Sequence, residues 1–155
     1  MNDTDRLVLK NCRCVLLPDG GTASGVDILI RGKRISRIGA LERELTAGAP
    51  SIDASRHVVL PGLVNTHHHF YQTLTRALPG AQNAKLFTWL VYLYEIWKHL
   101  DEEAVYWSSR LAMAELLKTG CTLTTDHHYL YPSGFTADLP GLQFEAASEL
   151  GIRFA

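Results

Sequence analysis

Little in this sequence points to a membrane, a nucleic acid or an oxidising compartment. Basic residues do not outnumber acidic ones: 15 Lys and Arg stand against 16 Asp and Glu, for a formal net charge of -1. No basic excess therefore draws the chain to nucleic acid or to an anionic bilayer. Cysteine is scarce. Cys12, Cys14 and Cys121 are odd in number and form no CxxC pair. They read as reduced thiols of a cytoplasmic protein rather than as a disulfide frame or a thiolate zinc site. The first residues, MNDTDRLVLKN, have no positive segment followed by an apolar one, so no secretory leader is expected. The longest apolar-rich stretch, LFTWLVYLYEIW, is too short and too interrupted to span a bilayer. With 46% hydrophobic and 20% charged residues, the composition is that of an ordinary globular protein.

Residues 6 to 39 read as short strands rich in Val, Ile and Leu, separated by Pro18-Asp19-Gly20-Gly21 and by Gly32-Lys33. Alternation in Asp27–Arg31 and Arg34–Ile38 predicts a hairpin with one wet face. Leu41 to Pro50 is a loop with some helix. The pattern then changes. His57 to Asn65 is nearly continuous apolar chain, broken only by Pro61-Gly62, and predicts a strand buried on both faces, as in a parallel sheet.

Leu86, Leu90, Leu93, Trp97 and Leu100 step by four and three and predict one helix. Asp101 reads as the N-cap of a second, with Glu102 and Glu103 in its first turn and Ala104, Ser108, Leu111, Ala112 and Leu116 as its stripe. Gly120 stops that helix. Cys121 to Thr125 is β-prone, Leu142 to Leu150 is helical, and Gly151 to Ala155 opens another strand. Strands alternating with helices imply parallel βα units.

Three consecutive histidines, His67-His68-His69, follow the apolar run. Side chains two apart on a strand share a face, so His67 and His69 pair while His68 turns away. Two neutral imidazoles at the carboxyl end of a buried strand are half of a divalent metal site, and catalytic groups collect at that end of barrel strands. Asp126-His127-His128-Tyr129 ends the second such strand and should line a pocket mouth. The tryptophans at 89 and 97 and the tyrosines at 92 and 94 read as packing rather than as a stacking platform.

LPGLVNTHHH resembles the opening of the amidohydrolase superfamily, in which Pro-Gly, two apolar residues and Asn/Asp precede His-x-His at the end of the first barrel strand. DILIRGKRISRIG is similar to the β-sandwich that precedes that strand. HHHFYQTLTRA with TTDHHYLYP looks most like the 8-oxoguanine deaminases, near guanine and isoxanthopterin deaminases and hydroxytriazine hydrolases. The resemblance implies an α/β fold: part of a small β-sandwich over residues 1–58, then the start of a metal-dependent (β/α)8 barrel over 59–155. It makes His67 and His69 ligands of one divalent ion, with zinc expected. It places Gln72 against the substrate ring, Tyr129 as a stacking or hydrogen-bonding group, and His128 against a ring oxygen.

The implied activity is hydrolytic deamination of a small heterocycle, 8-oxoguanine to urate plus ammonia, in an enzyme that can associate into homo-oligomers. A triazine or other cyclic-amidine hydrolase of the same superfamily is the second reading, and a short non-catalytic metal- or partner-binding protein the third. Asp126-His127-His128 also resembles the motif of manganese phosphoesterases. That family needs further aspartates, and Asp3-Thr4-Asp5 is the sole Asp-x-Asp spacing here.

The family also uses further histidines, a glutamate and an aspartate from later strands. A whole barrel takes about 250 residues, whereas the roughly 95 after the β unit suffice for two or three βα units of about 30 each. The chain is therefore expected to be the N-terminal part of a deaminase, with exposed strand edges and poor stability by itself.

Overall fold

The computed structural model describes residues 5–134 and 136–155. Asp3, Thr4 and the start of the segment read for a leader lie outside them. The chain divides into two compact units, Met1–Pro61 and Gly62–Ala155.

The first unit is β-rich. It contains β1 (Arg6–Cys12), β2 (Cys14–Leu16), β3 (Thr22–Ala23), β4 (Val26–Arg31), β5 (Arg34–Gly39), the short α1 (Arg43–Thr46), β6 (Ser51–Asp53) and β7 (Val58–Val59). One sheet runs β5-β4-β1-β6 and the other β3-β2-β7. The β4–β5 pair is the expected antiparallel hairpin, turned by Gly32 at φ +56° and Lys33, but the single wet face is not found: Ile28 and Leu29 are both buried and Ile35 is exposed, beside a register shift between Leu29 and Ile30. Near the end of β1 the pairing with β4 shifts register between Leu9 and Cys12, and Asn11 within that step has φ +58°. Asparagine tolerates this left-handed geometry, and the Asp27 carboxylate accepts its N–H at 2.8 Å. Cys12, Val15, Ile28 and Ala54 form a core to which both sheets contribute, with Val59 packed against it.

The second unit alternates strand and helix: β8 (Leu63–Asn65), α2 (Leu86–Trp97), α3 (Glu102–Lys118), β9 (Cys121–Thr124), α4 (Leu139–Leu150) and β10 (Arg153–Phe154). Its sheet order is β10-β9-β8, and both pairings are parallel. The Asp101 carboxylate caps α3 by accepting the Ala104 N–H at 2.8 Å, an arrangement worth about 1 kcal/mol. The buried residues of α3 are Val105, Ser108, Ser109, Ala112 and Met113, so Ser108 and Ala112 of the expected stripe face inward whereas Leu111 is exposed. Phe70, Ala112, Met113, Ala146, Ala147 and Ile152 build one core. Tyr71, Leu93, Trp97 and Leu130 build another.

Three further sequence expectations change here. Val58-Val59 and Leu63–Asn65 are not one strand. β7 pairs with β2 in the first unit and β8 with β9 in the second. Pro61 cannot donate to a ladder, and Gly62 lies so close to Thr122 that a Cβ there would meet its side chain at 2.3 Å. Nor are the apolar side chains buried on both faces: Leu60, Leu63 and Val64 are each more than half exposed. β8 is an edge strand of its sheet among the described residues, so one side of it stays open. Leu86, the first member of the α2 stripe, is likewise exposed, while Leu93 and Trp97 are buried.

Candidate functional site at the ends of β8 and β9

The parallel pairing of β8 and β9 does not stop where the regular strands do. The Thr125 N–H donates to the Asn65 carbonyl at 3.0 Å, and the His127 N–H to the His68 carbonyl at 2.8 Å. Below them, the Asn65 side-chain amide donates to the buried Thr124 hydroxyl at 3.2 Å. The histidine run and the Asp126–Tyr129 segment are thereby held side by side at the carboxyl end of the sheet. The histidines themselves lie just beyond β8 rather than on it.

Three imidazoles meet there. The ring centroids of His67 and His69 are 5.0 Å apart, those of His67 and His127 4.5 Å, and those of His69 and His127 5.7 Å. His69 Nδ1 is 2.9 Å from the His127 carbonyl oxygen. A carbonyl only accepts, so Nδ1 carries the proton and Nε2 keeps its lone pair. His68 behaves differently: its Nδ1 accepts the His69 N–H at 2.9 Å. Burial pushes the His68 imidazole below its usual pKa, against the opposing pull of the Asp126 carboxylate, so it stays a neutral acceptor.

Next along the chain, Phe70–Thr75 forms a 3-10 helix. Gln72 Nε2 donates to the Tyr129 hydroxyl at 3.2 Å and to the Tyr71 hydroxyl at 3.4 Å. Burial pushes the Tyr71 phenol well above its usual pKa, so it remains protonated. With its NH2 engaged by two phenols, the Gln72 amide has a fixed orientation. Gln72 also lines a hollow of about 290 Å³ with His68, His69, Thr73 and Arg76. Trp97 is core, as its spacing predicts: it packs edge-on to Tyr71 and donates its indole N–H to Thr75 at 3.1 Å.

Two residues of the Asp126–Tyr129 segment behave in ways that local sequence does not reveal. Asp126 is buried, its side chain only 1% exposed. Its carboxylate accepts the Phe70 N–H at 2.9 Å and the Gln143 amide at 2.6 Å. His127, not His128, turns its ring toward His67 and His69. His128 packs edge-on to Tyr71 and Tyr131. Both its ring nitrogens are buried without a hydrogen-bond partner among the described residues, and burial lowers its pKa. Alternation along an extended segment could have separated 127 from 128. It could not have said which of the two faces the histidine run.

Among the described residues no set of three or more His, Cys, Asp or Glu side chains is arranged to hold a metal ion. His67 and His69 are thus a pair of candidate donors. The free Nε2 of His69 fits the chemistry of an imidazole ligand whose other nitrogen is tied to a carbonyl.

The family model described as the amidohydrolase family matches residues 58–155. The chain belongs to the amidohydrolase family. Its relatives in that family include an 8-oxoguanine deaminase of Pseudomonas aeruginosa, 43% identical over 96% of this chain and 33% of the relative. An isoxanthopterin deaminase from an unknown prokaryotic organism is 34% identical over 95% of this chain and 32% of the relative. A hydroxydechloroatrazine ethylaminohydrolase from a Pseudomonas species is 37% identical over 87% of this chain and 30% of the relative. Among solved amidohydrolase structures, atrazine chlorohydrolase of Arthrobacter aurescens, complexed with zinc, superposes with a TM-score of 0.84 at 25% identity. That match covers 96% of this chain and 34% of the other. The chain thus spans about a third of the length of the amidohydrolases it resembles. No described helix is long and apolar enough to cross a membrane.

Proposed function

We propose that this chain belongs to a metal-dependent aminohydrolase that deaminates an oxidised purine, 8-oxoguanine to urate plus ammonia. The observation that carries the reading is the His69–His127 contact beside His67. It leaves one imidazole in the tautomer a divalent cation needs, with a second imidazole adjacent. His67 and His69 would hold one zinc ion, together with donors beyond the third of the relatives that this chain matches. When bound, the ion supplies a Lewis acid that makes water nucleophilic near neutral pH.

The chain's own residues then bind and orient the heterocycle. Gln72, with its NH2 held by two phenols, presents its carbonyl to a ring N–H. Tyr129, partly exposed and 5.3 Å from the His69 ring, packs against the ring edge. His128 would contact a ring oxygen only after its ring leaves the pocket formed by Tyr71 and Tyr131, where both its nitrogens are now buried. The parallel β8-β9-β10 sheet with its helices is read as the opening of a (β/α)8 barrel over residues 59–155. Residues 1–58 are read as the β-sandwich portion.

A triazine or other cyclic-amidine hydrolase is the second reading. It is favoured by the ethylaminohydrolase relative and by the TM-score to the atrazine enzyme. The test is release of ammonia, or of ethylamine from an ethylamino-substituted triazine, by the zinc-loaded native protein offered 8-oxoguanine, isoxanthopterin and that triazine at equal concentration. The highest kcat/KM on 8-oxoguanine supports the purine reading. The highest on the triazine moves the second reading to first place, and no release from any of the three sinks both.

A further inference from the structure

Among the described residues, no cation is hydrogen-bonded to the buried carboxylate of Asp126. Its two oxygens are held by neutral donors, the Phe70 N–H at 2.9 Å and the Gln143 side-chain amide at 2.6 Å. His128 Nδ1 stands off at 3.8 Å, and the His68 imidazole also feels the carboxylate's charge. Burying a carboxylate among neutral groups is costly unless each lone pair finds a donor, and both donors here come from other segments. Phe70 opens the 3-10 helix directly after His69, and His69 makes no side-chain cap to it. Asp126 therefore does from 56 residues away what an N-cap does locally. Gln143, only 2% exposed, reaches in from α4 and fixes the second oxygen. The end of β9, the histidine loop and α4 are joined through one side chain.

We propose that Asp126 is the positioning residue for His67 and His69: by tying the Phe70 amide to the end of β9 it sets where the two imidazoles point. This rests on the metal-binding reading above. Asp126 does not touch the metal; it acts through the loop it holds. The bond also keeps His127 in register, so the carbonyl that fixes the His69 tautomer and the carboxylate that anchors the loop belong to adjacent residues, His127 and Asp126.

Cobalt binding by the native protein tests this, read from the visible absorption of Co2+ and paired with thermal melts. Asp126→Ala should weaken Co2+ affinity about tenfold or more, the range seen when supporting partners of metal ligands are lost. Asp126→Asn keeps an acceptor for the Phe70 N–H, and the Gln143 amide can turn to meet it, so its affinity should stay within about threefold of the parent on the same scale. Gln143→Leu should fall between them. Met113→Ala, a core truncation, supplies the control. A merely structural Asp126 predicts that Asp126→Ala and Met113→Ala lose affinity alike for a matched loss of melting temperature, and that outcome overturns the proposal. If Asp126→Ala does not fold, Gln143→Leu decides: parental affinity in a folded Gln143→Leu protein overturns the idea. His67→Ala separates the two levels. Parental Co2+ affinity in that variant would mean the metal-binding reading itself fails, whatever Asp126 does.

Discussion

His69 Nδ1 lies 2.9 Å from the carbonyl oxygen of His127, and the two residues are 58 positions apart in the chain. That contact converts a histidine-rich loop into a histidine with a defined tautomer. On the proposed metal-binding reading, removing either imidazole of the His67–His69 pair should abolish metal binding. His67→Ala and His69→Ala are each expected to lose tight zinc binding and at least 100-fold in kcat/KM, since a metal-activated water has no substitute on neutral side chains. Zinc content by atomic absorption after dialysis, with added-zinc rescue of activity, checks this. Full zinc occupancy in both variants would sink it.

Tyr129→Phe should act on substrate binding rather than on metal. The variant loses the acceptor 3.2 Å from Gln72 Nε2 and leaves the amide held by Tyr71 alone. We expect KM to rise several-fold, with zinc content unchanged and kcat less affected. A fall in kcat at constant KM would instead place Tyr129 in a role realised only in the transition state.

Gly62 marks a close approach. A Cβ there would sit 2.3 Å from both branches of the Thr122 side chain. Threonine is stiff at χ1 and yields poorly, so Gly62→Ala should destabilise by about 1–3 kcal/mol, the usual cost of overpacking. Thr122→Ala in the same molecule should recover part of the loss. Urea unfolding midpoints of the single and double variants decide it. Equal midpoints for parent and Gly62→Ala would contradict the geometry.

His128 predicts a pH dependence. Burial lowers its folded pKa from the usual 6.5, partly opposed by the Asp126 carboxylate. The Tyr71 and Tyr131 rings pack against it. The unfolded chain then takes up a proton near pH 6.5 that the folded chain resists. Stability attributable to His128 is therefore full above pH 6.5 and declines as pH falls below it toward the folded pKa. His128→Phe should flatten the melting-temperature profile between pH 7 and pH 5. Its two nitrogens have no partner to lose, so stability at pH 7 should change little or rise. An unchanged acid limb in the variant would assign that loss to other groups.

Much of this protein was legible from local sequence, because the forces involved act over a few residues. Alternation across Asp27–Arg31 and Arg34–Ile38 specified the β4–β5 hairpin, though not which of its side chains are buried. Asp101 with Glu102 and Glu103 specified the start of α3, because the first amides of a helix need an acceptor. The Pro-Gly-x-x-Asn-x-His-x-His order pointed to the family and to His67 and His69.

Tertiary structure decided the rest. It assigned Val58-Val59 to one sheet and Leu63–Asn65 to another, because each strand took the partner its own unit offered. It turned His127 toward the histidine pair and His128 into a tyrosine pocket. It also joined Asp126 to Phe70 and Gln143. These contacts follow from the register of β8 on β9 and from where α4 packs. That register pairs Asn65 with Thr124, and neither segment by itself names its partner.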